Sequence, residues 1–152
     1  MEYEEEIILK AIQDARNTIN LRSRGLRGYD MGYNDCFSLL SEYDKNLRGD
    51  SSKVHGLSLS YKSAPEFLRK IRELGYKTLT EMSEAFGYDT LPRHERPQAG
   101  DIIYEIGSEG GTTAVADDFY WINSDGRKAN IYRKIRNIEL SALLLARPRR
   151  II

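Results

Sequence analysis

Between residues 4 and 20 the apolar side chains Ile7, Ile8, Ala11, Ile12, Ala15 and Ile19 recur at spacings of one, three and four. That spacing draws one stripe along an α-helix. A polar, glycine-punctuated loop follows at Arg22 to Gly28. A second helix is predicted from about Asp35 to Leu47, with Asn34 as N-cap and Gly49 as its stop. On it Cys36, Leu39, Leu40, Tyr43 and Leu47 share one face. Residues 49 to 61 read as loop. Ser63-Ala64-Pro65 opens a third helix with Phe67, Leu68, Ile71 and Leu74 inward, ended by Gly75. A short fourth helix spans roughly Thr78 to Phe86, with Leu79, Met82 and Phe86 inward.

After Leu91-Pro92 and Arg96-Pro97 the pattern changes to strands. Asp101 to Ile106, Thr112 to Ala116, Phe119 to Asn123 and Ala129 to Arg133 are short extended pieces separated by turn signals. Gly110-Gly111 and Ser124-Asp125-Gly126 are the clearest of these turns. The apolar run Ser141 to Ala146 fits strand or helix equally by periodicity. Helices followed by strands imply an α+β domain with an antiparallel sheet. No linker interrupts the 152 residues, so one domain is expected, helical over about 1–90 and sheet-forming over about 97–148.

Charge narrows the choice of partner. Lys+Arg and Asp+Glu both number 23, and a net charge of zero argues against a nucleic-acid binder. The basic tail Arg147-Pro148-Arg149-Arg150 reads as a solvated terminus. No apolar run is long enough to span a bilayer, and the acidic start Glu4-Glu5-Glu6 is unlike a signal peptide. Folding in a cytosol is therefore expected, without membrane insertion. A single cysteine excludes an internal disulfide, and with only His55 and His94 beside it no metal site or cofactor is expected.

Gly32-Tyr33-Asn34-Asp35-Cys36-Phe37 holds the main candidate chemistry. A cysteine in the first turn of a helix meets unpaired backbone N–H groups and the positive end of the macrodipole, which favours the reactive thiolate. The inward face of the helix offers Cys36 an equally ordinary structural place. "Asp-Cys-x-x-Leu" followed some sixty residues later by Pro97-Gln98-Ala99-Gly100-Asp101-Ile102-Ile103 resembles the NlpC-type, papain-like cysteine peptidases. The resemblance implies N-terminal helices packed on a small antiparallel sheet, Cys36 as nucleophile, a Gly-Asp turn into the first sheet strand, and a histidine opening the strand after that one. That second strand begins with threonines, and Thr112 or Thr113, with Thr113 as the named candidate, stands where the histidine would be. Threonine does not accept the thiol's proton as imidazole does. His55, in a polar loop, and His94, in the connection before the first strand, are the remaining candidate bases.

Taken whole, the chain resembles an NlpC-related family of tailed phages and prophages, to which Ser124-Asp125-Gly126 and the segment Ser60 to Leu68 also correspond. That resemblance implies a tail-tip structural or assembly protein with a degenerate peptidase fold. It would be made in the host cytoplasm, carried in the virion tail, and partnered by other tail proteins or by copies of itself in a ring. The alternative is an active hydrolase of peptidoglycan peptides or amides, with Asp35 or a backbone N–H assisting at the oxyanion; a third reading is a host-directed effector. Asp117-Asp118 reads as a turn or solvated edge, because neighbours on a strand point to opposite faces. Gly107 to Gly111 reads as a hairpin loop. Tyr29, Tyr33, Tyr120 and Trp121 fit either an aromatic surface or a half-buried core.

Overall fold

The computed structural model describes residues 2–23, 36–55, 63–92, 95–107, 110–124, 129–134 and 142–150. Its elements are α1 (Glu5–Ser23), α2 (Cys36–Arg48), a 3-10 turn (Gly49–Ser51), α3 (Ala64–Glu73) and α4 (Leu79–Ala85). Six strands follow: β1 (Tyr88–Thr90), β2 (Ile102–Gly107), β3 (Gly110–Ala116), β4 (Tyr120–Ser124), β5 (Ala129–Lys134) and β6 (Ala142–Pro148). The expected α+β class with an antiparallel sheet is what forms. The strands lie in the order β1-β6-β2-β3-β4-β5, and every described pairing is antiparallel.

Why the elements sit this way follows from where the apolar stripes go. Ile8, Ala11, Ile12, Ala15 and Ile19 of α1 are all buried, whereas Ile7, counted in the same stripe, lies off it and is 41% exposed. α1 packs beside α2, where Asn46 Nδ2 donates to the Ala11 carbonyl at 3.2 Å. α2 in turn lies on β3 and β4. Leu39, Leu40 and Tyr43 thereby join Ile102, Tyr104, Val115, Ile122 and Leu144 in the main core. The other sheet face buries Ile103, Ala114, Ala116, Trp121 and Leu145 in a second cluster. Trp121 is therefore core, while Tyr120 is half-buried; Tyr29 and Tyr33 lie outside the described residues.

The run that periodicity left open is a strand. β6 sits between β1 and β2, and both Leu144 and Leu145 are buried, one on each face. A strand covered on both faces shows no alternation, which is why its pattern was ambiguous. β1 was not expected, being only three residues long; it pairs Tyr88 with Pro148. The first helix runs on to Ser23, into the segment read as loop. In the α3–α4 hairpin, Ser63 and Thr78 cap the two helices by accepting from the Glu66 and Glu81 amides. Met82 and Phe86 point inward as expected, but Leu74 and Leu79 are 51% and 37% exposed. Leu74 is the C-cap of α3 and Leu79 the first residue of α4, so both sit beyond the stretch where the helix face is held to the core.

One buried ion pair ties these parts together. Arg48 Nε donates to Asp44 Oδ1 at 2.8 Å, with both side chains almost wholly enclosed. The same carboxylate accepts from Tyr88 Oη (2.6 Å) and Ser52 Oγ (2.5 Å). Burial, then the Asp44 charge, pushes the Tyr88 phenol well above its ordinary range, so it remains a donor. Arg48 spends its other N–H groups on the carbonyls of Gly87 (2.8 Å) and Arg149 (2.9 Å) and reaches Tyr3 Oη at 3.4 Å. Breaking such a pair from one side leaves a charge buried alone, which costs about 3–5 kcal/mol. Arg48→Met is accordingly expected to lower unfolding stability by about that amount, read as a fall in the urea midpoint.

Candidate functional site

Cys36 is the first residue of α2, as its sequence context suggested. α2 packs on β3, the strand after the one that the Gly-Asp turn opens. Position 113 on that strand pairs with Tyr104 of β2, two residues from the Ile102–Val115 pair. Because side chains alternate along a strand, Thr113 shares the face of Val115, which packs in the core beneath α2. Thr113 is buried, at 8% exposure. On the α2 side of β3, where an imidazole was sought, the chain thus carries a threonine.

His55 is held elsewhere. Its Nε2 lies 3.4 Å from Glu42 Oε1, an oxygen that also accepts from Arg22 Nη2 of the last turn of α1. The His55 amide donates to Ser52 Oγ at 3.2 Å, fixing the turn after the 3-10 segment. Glu42 is six residues beyond Cys36, so at 1.5 Å per residue the two stand roughly 9 Å apart along the α2 axis. His55 therefore lies against a carboxylate more than one helical turn along α2 from its first residue. His94 and Asp35 lie outside the described residues.

Sequence reasoning missed Glu42 and Arg22. Glu42 interrupts an apolar stripe and looks like a solvated position, yet its side chain is only 6% exposed. Nothing local signals this, because its partners come from α1 and from the turn after α2.

The Gly-Asp turn is built by packing rather than reserved for chemistry. Gly100 has φ +91°, and a Cβ there would fall 2.8 to 2.9 Å from Ile8 and the Tyr43 hydroxyl. Tyr43 Oη donates to the Gly100 carbonyl at 3.0 Å, joining α2 to the turn. Asp101 accepts from the Gln98 amide (2.9 Å), closing the turn, and from Arg147 Nε and Nη2 (2.8 and 2.9 Å) in a fork. The basic tail is thus not a solvated terminus. Arg147 is an interior partner of Asp101, and Arg149 pairs with Asp89 at 2.9 Å.

Among the described residues no group of three His, Cys, Asp or Glu side chains could hold a metal ion. Asp117 and Asp118 form a turn: Asp117 Oδ1 accepts from the amides of Phe119 (2.8 Å) and Tyr120 (2.7 Å). Gly107 ends β2 and Gly110 begins β3 in the expected hairpin. No helix among the described residues is long and apolar enough to cross a membrane.

Burial raises the Asp101 carboxyl above its ordinary value, and the Arg147 hydrogen bonds and the Gln98 amide pull it back. Arg147→Leu removes most of that opposition. A carboxyl raised in the folded state penalises stability at pH above its folded value, and the penalty vanishes below the unfolded value near about 4. Arg147→Leu is expected to cost about 3 kcal/mol at pH 7 and distinctly less at pH 4, compared by urea unfolding at the two values. Comparison with protein-family models, with curated proteins and with solved structures finds no match to this chain.

Proposed function

We propose that this chain is a binding subunit of a phage tail, built on an NlpC-type, papain-like scaffold that no longer hydrolyses. The observation that carries the reading is the residue at position 113. Thr113 lies buried on the α2 side of β3, and the imidazole of His55 is taken up by Glu42. The Cys36 helix start and the Gly-Asp strand entry support the scaffold assignment; the tail setting follows from the resemblance of the chain to NlpC-related phage proteins.

A papain-like nucleophile needs a base within about 3–4 Å of its sulfur to become a thiolate near neutral pH. A hydroxyl at 113 cannot supply that. What the scaffold keeps is a rigid helix-on-sheet body whose surface is available for contacts with other tail proteins.

Two measurements test this. The purified chain is expected to release no peptides from peptidoglycan, and phage carrying Cys36→Ala is expected to incorporate the protein and infect as wild type does. Peptide release that disappears in Cys36→Ala would sink the reading in favour of an active hydrolase. The scaffold itself is tested by Thr113→His, which should raise the iodoacetamide reactivity of Cys36 at pH 6.5 by about tenfold or more. An unchanged rate in a folded variant would count against a papain-like relation between positions 36 and 113.

A further inference from the structure

α3 is held differently from the other helices. α1, α2 and α4 each carry fully enclosed side chains, among them Ala15, Leu40 and Met82. Among the described side chains of α3 none is buried: Arg69, Arg72 and Glu73 are exposed, and Ile71 is only partly covered. α3 has no extended packing against another helix or strand, whereas α4 lies along β1. Ile71, set against the main core, is its described apolar hold on the body.

The bonds that shape this helix are local. Ser63 Oγ caps its start by accepting from the Glu66 amide at 3.2 Å. The amides of Leu74, Gly75 and Tyr76 close its last turn onto the carbonyls of Lys70, Arg72 and Ile71. Arg69 Nε stands 3.8 Å from Glu73 Oε1, one turn further along the same helix. Such bonds form and break with the helix and tie it to nothing else. A helix of ten residues is too short to persist alone in water, so α3 melts once it leaves the body.

Immediately beyond α3 the chain is anchored. Tyr76 packs against the main core and meets the Phe86 ring edge-on at 5.8 Å. The Lys77 amide donates to Glu81 Oε2 (2.9 Å) and Thr78 Oγ1 accepts from the Glu81 amide (3.1 Å), which fixes the start of α4. Gly75 stands between the two regimes at φ +89°, where a Cβ would meet nothing within 4 Å. Its turn is thus free of packing that would lock it.

We propose that α3 is a hinged flap, which lifts from the body and melts as a unit about Gly75 while α1, α2, α4 and the sheet stay folded. Opening of this kind breaks the contact of Ile71 and the local bonds of the helix, and leaves the Asp44–Arg48 and Asp101–Arg147 networks whole. It bares the apolar side of α3 that Ile71 marks, together with the core surface beneath it. The inference rests on how α3 is packed, and it stands or falls apart from the tail reading.

Amide hydrogen exchange of the purified full chain tests it. The amides of residues 68–73 should be protected at least about a hundredfold less than those of residues 40–44 in α2. Their exchange should be nearly flat in low urea, because a small opening exposes little surface, whereas that of α2 should quicken with urea. Ile71→Ser should speed exchange in α3 by about tenfold or more and leave α2 as it is in the wild type. Equal protection and equal urea dependence in the two helices would make α3 part of the global folding unit and overturn the flap. So would an Ile71→Ser chain in which α3 exchanges as before, or in which α2 quickens by the same factor as α3.

Discussion

The Asp44–Arg48 pair is the constraint on which the other contacts depend. Two charges out of water cost several kcal/mol each unless their hydrogen-bonding capacity is filled. Here Tyr88, Ser52, Gly87 and Arg149 fill it, with the faces of Tyr3 and Tyr88 within 5.7 and 5.2 Å of the guanidinium. Those partners come from both ends of the described chain, from the turn after α2 and from the start of β1. The β1–β6 edge of the sheet is thus hung from the C-terminal end of α2. Gly87, at φ +95°, is where Arg48 passes; a Cβ there would stand 2.8 to 2.9 Å from the guanidinium. An apolar replacement of equal volume could satisfy the core, but it would not hold these four segments in one relative register.

A second buried carboxylate repeats the device at the turn into β2. Asp101, gripped by Arg147 and closing the turn onto Gln98, sets the entry into β2, and Tyr43 reaches from α2 to the carbonyl of Gly100 beside it. Between them the two networks fix where α2 lies on β3 and β4. That placement decides which β3 residues face the helix, and so why position 113 matters.

Much of the skeleton was legible in the sequence because amphipathic helices and short β-rich strands carry their own periodicity. What was not legible has a common cause: partners distant along the chain. Arg147 and Arg149 look like a solvated basic tail until Asp101 and Asp89 are brought to them. Ser38, Ser41, Glu42 and Asp44 look like the wet side of α2, yet all four are buried, because α2 is enclosed by α1, the sheet and the following turn rather than lying at a surface. A period-3.6 reading equates polar with solvent, and that equation fails for a central helix. At the candidate site the sequence pointed to Cys36 and the threonine strand, but could not show that Glu42, held by Arg22, would lie against the imidazole of His55.

Charge pairs and apolar packing act together in seating α2. Here the helix is fixed to the sheet by Asp44, Arg48, Tyr43, Asp101 and Arg147, and by the apolar contacts of Leu39, Leu40 and Val115. The body is thus held by contacts drawn together from α2, the Gly-Asp turn and the β1–β6 edge of the sheet.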